Sequence, residues 1–496
     1  MALQGKHILV GISGGIAAYK IPELIRGLVK AGAEVRVATT RHALEFVTEL
    51  TLQTVSGHPV YFDVFAAINA HATEHISLPE WCDAMIVAPA TANVVAKMAA
   101  GIADDALTTT ICSCVARKPI LIAPAMNDKM WENPATQHAV ETIRSWQNVR
   151  VIEPAEGPLA CGVVGKGRMP EAEELQEALE YALTPRTLAG QRILITAGGT
   201  QEPIDPVRFI SNYSTGKMGV ALAQVCARRG AEVTMVCGSM SVTPRNPFGA
   251  IHRIDALSAQ EMYEACIAQW PRMNSAILCA AVADFTPCEK AENKIKKGDR
   301  SLVIGDRSLV NGDRSLVNGG KPSSAEATPP VNREDAPGEW SLVNGGKPSS
   351  AEATPPVSRE DAPGDRSLVN GGKPSSAEAT PPVSREDAPG EWSLSLKETA
   401  DIAKALGQSK RPDQKLIGFA LETQHEIENA LHKMERKNLD AIVLNSLRDK
   451  GAGFGVDTNR VTIIRADGNS LELPLLSKAE AANEIIRYSF LLEEAE

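Results

Sequence analysis

Short, continuous apolar runs alternate with helical patterns along most of this chain, and this alternation restricts its fold. The runs span 6–12, 34–39, 84–89 and 119–124 in the first half, then 192–199, 232–238, 275–283, 415–421 and 441–445. Strands that read as unbroken apolar runs are typical of a parallel sheet covered on both faces. The pattern restarts near residue 190. The sequence therefore predicts an α/β protein with two Rossmann-like parallel-sheet domains.

A tandem repeat interrupts the second of these domains. Three nearly identical 26-residue copies occupy 315–340, 341–366 and 367–392, after a seven-residue phrase that stutters at 298–311. Each copy is rich in Gly, Pro, Ser and acidic residues, and it holds too few hydrophobic residues to offset its ordering entropy. An ordered solenoid is the alternative for tandem periods of this size. We predict a disordered insertion at 298–392, and domains at 1–184 and at 188–297 with 393–496.

Composition and charge narrow the function further. The formal net charge of −10 argues against a nucleic-acid surface as the main role. The nine cysteines show no CxxC pair and no Cys/His spacing typical of a metal site. The chain enters a strand-like run at 6–12 without a signal peptide, and no apolar stretch reaches the length of a membrane span. We expect a cytoplasmic protein with no membrane partner.

Glycine-rich and polar phrases follow the predicted strands, where ligands bind in folds of this kind. Gly11–Gly15 follows the first strand and opens a helix, so its backbone N–H groups could hold a phosphate. The loop lacks the GxGxxG spacing, and no acidic residue closes the second strand, so a nicotinamide dinucleotide fits poorly. The PATAN phrase at 89–93 follows the third strand in the same way. Taken alone, the glycine loop is as well explained by a plain tight turn.

Taken together and in order, the motifs are more specific. The first half contains GGIAAYK at 14–20, PATAN at 89–93, PAMN at 124–127 with Met130, ACG at 160–162 and GKGRM at 165–169. The second half contains GGT at 198–200, DPVR at 205–208, SNYSTGKMG at 211–219, AD at 283–284, KIKK at 294–297, GF at 418–419 and GFGVDTN at 453–459. The chain resembles the bifunctional phosphopantothenoylcysteine decarboxylase/phosphopantothenate–cysteine ligase family of coenzyme A biosynthesis. Thr91 stands where that family often has Ser, and the hydroxyl is kept.

For the first half, the resemblance implies an FMN-dependent decarboxylase. His75 would be the base, Asn127 would hydrogen-bond the substrate carboxylate, and Cys161 would return a proton. The residues implied for FMN are Gly14, Thr39, Ala90, Thr91 and Asn93. Without the resemblance, His75 would be an ordinary surface histidine, Asn127 a cap of a helix near Trp131, and Cys161 a buried thiol. Lys166 and Arg168 suggest instead a cationic setting for that thiol.

For the second half, the resemblance implies a ligase that activates a carboxylate with CTP. Lys294 would act on the triphosphate, and Asn212 would handle the acyl-cytidylate. The residues implied for CTP are Asp284, Lys294, Ala400, Asp401, Ile402, Ala403, Phe419, Lys433 and Lys437. Such chemistry calls for Mg²⁺ with the nucleotide, although no ligands for it can be named. By themselves, the lysines would more often form a solvated face.

The expected substrates are therefore 4′-phosphopantothenate, cysteine and CTP, and the resemblance also implies a homo-oligomer with flavin at subunit contacts. Two rival interpretations stay open at the level of sequence. One is a related flavoprotein, such as a flavin prenyltransferase, fused to an unrelated nucleotide-binding domain. The other is an inactive scaffold whose repeats recruit partners.

Overall fold

A computed structural model describes residues 3–65, 73–158, 162, 164–296, 394–422, 426–446 and 456–491. The chain divides into two units. The first comprises Met1–Gln201, Ser211–Ala283 and Ala400–Glu496, and it contains both main sheets. The second comprises Glu202–Ile210 and Asp284–Thr399. The predicted repeat insertion at 298–392 lies outside the described residues.

Among the described residues, the first sheet and its surroundings are built from eight strands and eight α-helices. In chain order they are β1 (His7–Ile12), α1 (Ile21–Lys30), β2 (Glu34–Thr39), α2 (Glu49–Ser56), β3 (Val60–Tyr61), α3 (Glu74–Trp81), β4 (Ala84–Ala90), α4 (Ala92–Ala100), α5 (Ala106–Cys114), β5 (Ile120–Pro124), α6 (Asp128–Trp131), α7 (Pro134–Arg144), β6 (Val149–Val151), β7 (Ala155–Pro158), β8 (Val164–Arg168) and α8 (Ala172–Leu183).

The order of strands in the first sheet is β3-β2-β1-β4-β5-β6, and every pairing is parallel. This is the doubly wound order in which ligands bind where the winding reverses, between β1 and β4. Along β1, Ile8 and Val10 join the core on one face of the sheet, while Leu9 joins the core on the other. Burial on both faces explains the unbroken apolar runs, and the structure confirms the predicted fold class.

The remaining elements follow in the second half of the chain. In chain order they are β9 (Arg192–Ala197), β10 (Gln201–Pro203), β11 (Phe209–Ser211), α9 (Lys217–Arg228), β12 (Glu232–Cys237), β13 (Ile251–Asp255), α10 (Ala259–Gln269), β14 (Ser275–Leu278), β15 (Phe285–Pro287), β16 (Leu396–Glu398), α11 (Ile402–Gln408), β17 (Lys415–Glu422), α12 (Glu426–Arg436), β18 (Ala441–Ser446), β19 (Thr458–Asn459), β20 (Val461–Arg465), β21 (Ser470–Glu472), β22 (Leu476–Ser477) and α13 (Lys478–Phe490).

The second sheet has the order β13-β12-β9-β14-β17-β18-β20-β21. Its first six strands are parallel, as predicted for the five of them other than β13, but β20 and β21 extend the sheet in antiparallel fashion. These two strands and β13 were not predicted. In the part of the chain that the structure describes, no helix has the length and apolar character needed to cross a membrane.

Candidate functional site

At the carboxyl edge of the first sheet, Ser13 ties the loop after β1 to the loop after β4. Its buried hydroxyl donates to the Pro89 carbonyl over 2.7 Å and accepts from the Thr91 N–H over 3.0 Å. The two loops on either side of the reversal in winding are thereby held together. Sequence reasoning missed Ser13, although it stands between the predicted strand and the glycine pair.

The glycines that follow Ser13 permit a close approach of neighbouring groups. A Cβ on Gly14 would lie 2.6 Å from the Cβ of His42, and one on Gly15 would lie 3.2 Å from Thr91 Cγ2. A side chain at Gly14 would therefore force the chain apart. The loop does not open directly into an α-helix, as the sequence suggested, because a 3₁₀ turn at Ile16–Lys20 comes first. The proline at the start of α1 marks the point where the α-helix begins.

Two buried hydroxyls lie at the end of β2, beside this loop. Thr39 pairs with Ile12 in the sheet, and the N–H of Thr40 donates to the Ile12 carbonyl. The Oγ1 atoms of both threonines are buried without a hydrogen-bond partner among the described residues. Buried hydroxyls normally have hydrogen-bond partners, so two hydroxyls without them at this edge of the sheet are consistent with a polar ligand binding there. Thr39 was predicted for a cofactor, whereas Thr40 was not.

The PATAN segment forms the other wall of this edge. Ala90 is fully buried, and its carbonyl accepts from the Ala125 N–H, so it holds the ends of β4 and β5 together. Thr91 immediately precedes α4, but its side chain does not cap that helix. Asn93 is exposed on the first turn of α4. The structure thus brings Gly14, Ala90 and Thr91 to one edge of the sheet.

His75 is the second residue of α3 and is half-buried. Its Nδ1 is buried and has no hydrogen-bond partner among the described residues. The hydroxyl of Tyr61, at the end of β3, is in the same condition. Burial, followed by the negative charges of Glu74 and Asp63, raises the pKa of Tyr61. A half-buried imidazole with an unpaired nitrogen is consistent with proton transfer, and Tyr61 was missed because one buried tyrosine gives no sequence signal.

Asn127 follows β5 and caps α6. Its Oδ1 accepts from the Lys129 N–H over 2.9 Å, and the helix begins at Asp128 rather than near Trp131. Asn127 therefore has the capping role that is the alternative to a catalytic one. The amide nitrogen is the only donor on this side chain, so any hydrogen bond to a substrate carboxylate would come from it, and capping through the oxygen does not conflict with that role.

Cys161 lies outside the described residues, but strands β7 and β8 on either side of it pair as a hairpin. The hairpin packs beside Asn127, because the Met126 N–H donates to the Gly167 carbonyl over 3.0 Å. A Cβ on Gly167 would lie 2.3 Å from the Met126 oxygen, which excludes any other residue there.

Because Cys161 itself lies outside the described residues, the cationic setting suggested for its thiol stays a prediction. Lys166 forms an ion pair with Glu153, and Arg168 forms one with Glu171. Glu153 also pairs with Arg144, and Glu171 also pairs with Lys20, so each carboxylate is shared between two cations. The sequence could not reveal these partners.

At the carboxyl edge of the second sheet, Asn212 follows β11 and contacts the loop after β14. Its Nδ2 donates to the Ala281 carbonyl over 3.1 Å, and its side chain lies in an exposed position. Gly216 adopts a φ of +77° just before α9. A Cβ on Gly219 would lie 2.5 Å from the Cβ of Ala197, so glycine is needed for α9 to approach β9 this closely.

Two separate motifs meet at the start of α9. Lys217, from SNYSTGKMG, forms an ion pair with Asp457, from GFGVDTN, at 2.6 Å. The pairing brings together phrases that are 240 residues apart in sequence. Residues 453–455 of the second motif lie outside the described part of the chain.

Two residues predicted for CTP contact each other directly. Lys437 Nζ lies 2.8 Å from Asp401 Oδ2, and Asp401 Oδ1 also accepts from the Lys404 N–H to cap α11. Burial opposes ionisation of Asp401, but Lys437 and the Lys404 N–H hold its pKa below the ordinary value. Lys433 lies one turn before Lys437, whose N–H donates to the Lys433 carbonyl.

Four other residues predicted for CTP lie on β17, on α11 or just before α11. Phe419 is half-buried on β17, where it packs against the core of the second sheet. Ile402 begins α11 and is buried, whereas its neighbours Ala400 and Ala403 are half-buried.

Asp284 and Lys294 belong to the second unit, and both are exposed. The sequence predicted a buried strand along the apolar run 275–283, directly before Asp284, and this was wrong in length because β14 stops at Leu278. Beyond β14, Ala281 still forms a parallel bridge with Gly199, and two threonine hydroxyls accept from the N–H groups on either side of it. Thr196 Oγ1 accepts from the Ala280 N–H, and Thr200 Oγ1 accepts from the Ala283 N–H.

No group of three or more His, Cys, Asp or Glu side chains that could hold a metal ion occurs among the described residues. Mg²⁺ therefore stays a prediction from the nucleotide chemistry.

Comparison with known proteins agrees with this architecture. A family model described as flavoprotein matches residues 1–183, and one described as the DNA/pantothenate metabolism flavoprotein C-terminal domain matches 188–309 and 377–490. The chain is 37% identical over 488 residues to the coenzyme A biosynthesis bifunctional protein CoaBC of Bacillus subtilis (strain 168), covering 98% of this chain and 97% of the relative. The chain belongs to the family of bifunctional coenzyme A biosynthesis proteins.

Two further similarities are relevant. The chain is 39% identical over 446 residues to a cysteine/cysteine sulfinic acid decarboxylase of an unknown prokaryotic organism, covering 89% of this chain and 98% of the relative. The solved C-terminal domain of a coenzyme A biosynthesis bifunctional protein CoaBC is 30% identical, with a TM-score of 0.37, and the match covers 62% of this chain and 98% of that one.

Proposed function

We propose that this chain catalyses two consecutive steps toward coenzyme A. The second half joins 4′-phosphopantothenate to cysteine using CTP, and the first half decarboxylates the product to 4′-phosphopantetheine using FMN. The observation that carries the proposal is the match to a bifunctional relative along 98% of this chain. Both family models are matched in the same order within one polypeptide.

In the ligase half, an unreactive carboxylate must be activated before an amine can attack it. CTP does so by forming an acyl-cytidylate and releasing pyrophosphate, and cations must stabilise the negative charge that shifts during this transfer. We assign that task to Lys294, Lys433 and Lys437, with Mg²⁺ accompanying the nucleotide. Asn212 would bind the acyl-cytidylate. Asp284, Phe419 and residues 400–403 would complete the nucleotide contacts, with Phe419 stacking on the base.

In the decarboxylase half, FMN supplies an oxidation of the substrate's cysteinyl end, which gives the electrons of the breaking bond a place to go. The unpaired hydroxyls of Thr39 and Thr40 fit a flavin nucleotide, and Gly14 lets the neighbouring loop pack directly against His42. We also assign Ala90, Thr91 and Asn93 to this cofactor.

The remaining decarboxylation steps are assigned to three side chains. His75 takes a proton from the substrate, and its unpaired Nδ1 supports that role. The amide of Asn127 hydrogen-bonds the leaving carboxylate without adding a charge that would retain it. Cys161 returns a proton at the end of the reaction.

We further propose domains at 1–184 and at 188–297 with 393–496, and a homo-oligomer with flavin at subunit contacts. Large apolar side chains are exposed close to the proposed cofactor loop, among them Ile16 at 56% and Tyr19 at 60%. Exposed apolar clusters of this kind often mark interfaces. Every cysteine in the described part of the chain is a free thiol, which suits the reducing cytoplasm.

A narrower alternative comes from the relative that is a cysteine/cysteine sulfinic acid decarboxylase. In this alternative, the first half of the chain would still catalyse a decarboxylation, but its substrate would be free cysteine instead of phosphopantothenoylcysteine. Comparing CO₂ release from the two substrates at equal concentration decides between them. We expect turnover of phosphopantothenoylcysteine and little of free cysteine.

The overall proposal is tested on the purified protein. Its visible spectrum should show bound flavin, and 4′-phosphopantothenate with cysteine should elicit CTP-dependent pyrophosphate release. Replacing CTP with ATP measures nucleotide preference. A colourless protein without nucleotide-dependent pyrophosphate release would contradict the proposal and favour a scaffold.

A further inference from the structure

The carboxylate of Asp205 is the centre of a buried hydrogen-bond network within the second unit. Its side chain is fully buried in the turn that follows β10. Oδ1 accepts from the backbone N–H groups of Val207 and Arg208, each over 2.8 Å. Oδ2 accepts from Arg208 Nε over 2.8 Å, and Arg208 Nη2 also contacts it.

This network also holds a distant segment of the same unit. The Ile295 N–H donates to Asp205 Oδ2 over 3.2 Å, and Arg208 Nη2 donates to the Ile295 carbonyl over 2.7 Å. A third bond, from the Ala291 N–H to the Ile204 carbonyl, lies four residues earlier. The peptide groups on both sides of Ile295 are therefore fixed by one carboxylate and its arginine partner.

The charged state of Asp205 supports this arrangement. Burial opposes ionisation, but Arg208 and the backbone N–H groups of Val207, Arg208 and Ile295 hold the pKa of Asp205 well below its ordinary value. The carboxylate is thus ionised throughout the neutral range. Its negative charge is what lets it accept from so many donors at once.

Lys294 stands immediately before the fixed Ile295, with its side chain exposed. We infer that Asp205 is a positioning residue for the ligase reaction, because it fixes the backbone from which Lys294 reaches the nucleotide phosphates. The inference rests on the proposed function of Lys294. An exposed segment without such an anchor would sample many conformations, and a reacting group displaced by about 1 Å can lose on the order of 100-fold in rate.

The test combines Asp205→Asn with Lys294→Gln in a double-mutant cycle. Asparagine keeps the shape of Asp205 but cannot accept on both sides. We expect Asp205→Asn to lower kcat/KM for CTP by about 10- to 100-fold, with decarboxylation of supplied phosphopantothenoylcysteine unchanged. Asp413→Asn is the matched control, because Asp413 also pairs with an arginine but is 63% exposed. The control should retain full ligase activity.

The cycle separates positioning from a general structural effect. If Asp205 acts through Lys294, adding Asp205→Asn to Lys294→Gln should cause no further loss. Equal losses in both backgrounds would overturn the inference, as would full activity of Asp205→Asn. Should that variant lose decarboxylation as well, Arg208→Lys, which keeps a cation beside Asp205, replaces it in the same cycle. A wild-type protein without CTP-dependent ligation would refute the proposed function instead.

Discussion

Glu177 on α8 and Arg228 on α9 form a buried ion pair that joins the first-sheet part of the chain to the second. Arg228 Nε donates to Glu177 Oε1 over 2.6 Å, and Arg228 Nη2 donates to the other carboxylate oxygen. The Glu177 side chain is 4% exposed, and Glu180 contacts the same guanidinium at 2.5 Å. The last α-helix around the first sheet, α8, is thereby fixed to the first α-helix around the second sheet, α9.

Glu177→Gln should destabilise the protein, because it leaves the buried Arg228 charge with only Glu180 as a counter-ion. Removing one partner of a buried pair costs about 3–5 kcal/mol, and Glu180 should keep the loss near the lower value. Urea unfolding measures the change. Glu173→Gln, on the exposed face of the same helix, is the control. Identical unfolding midpoints for the two variants would show that the pair contributes nothing.

Ser13→Ala should weaken cofactor retention without preventing folding. The change removes the hydroxyl that bridges Pro89 and Thr91, and each buried group left unpaired costs about 1–3 kcal/mol. Flavin content per chain after dialysis measures the effect. Ser113→Ala is the control, because its hydroxyl bonds only within α5. Equal flavin retention in both variants would mean that the tie between the loops is dispensable for the cofactor.

His75→Asn should keep its flavin and lose decarboxylation, because asparagine cannot take up the proton. Retained visible absorbance shows that the cofactor site survives, and CO₂ release measures the reaction. His138→Asn, on an exposed position of α7, should behave as wild type. Normal turnover by the His75 variant would remove His75 from the role of base.

The sequence predicted strands correctly where successive residues are buried on both faces of a sheet. The run at 34–39 coincides with β2, and the alternation of buried strands with helices correctly indicated parallel pairing, although it did not give the order of the strands. Such strands are specified by their own apolar side chains, so a local pattern suffices.

Features decided by tertiary hydrogen bonds could not be predicted in the same way. The residues just beyond β14 are held by the hydroxyls of Thr196 and Thr200, which lie 84 and 83 residues away from their donors in sequence. The partners of Lys166 and the unpaired hydroxyl of Thr40 are likewise set by neighbours in space. The positions of the motifs after the strands indicated which edge of each sheet carries the site. They did not indicate which side chains contact each other at that edge.

Lys294→Gln and Asn212→Asp should separate the two half-reactions of the ligase. The first removes a cation where charge shifts during nucleotidyl transfer, so pyrophosphate release should fall. The second should still release pyrophosphate and accumulate the acyl-cytidylate. Rapid-quench analysis with labelled CTP measures both species. Equal pyrophosphate release by the two variants would contradict this division of roles.

Deleting residues 298–392 should leave both activities in place. The structure holds the flanks of this block together, since β15 pairs antiparallel with β16 through Thr286 and Lys397. The Cys288 N–H also donates to the Ser395 carbonyl over 3.0 Å. The chain therefore leaves and re-enters the fold at neighbouring points, and a short connection can close the gap. Closure entropy changes by only about 0.6 kcal/mol per doubling of loop length, so the deletion should not lower stability.

The consequence for catalysis should be small and confined to the ligase. Lys294 lies just before the deleted block, so a shorter connection should alter the KM for CTP more than kcat. Decarboxylation should be unchanged, because the first sheet lies far from this block in sequence. Urea unfolding and the two activity assays measure these effects, and a Gly/Ser segment of equal length in place of 298–392 controls for loop length. If the deleted protein fails to fold while the Gly/Ser version folds, the loop length matters. If both fail, the repeat sequence itself is part of the structure, and the insertion hypothesis is wrong.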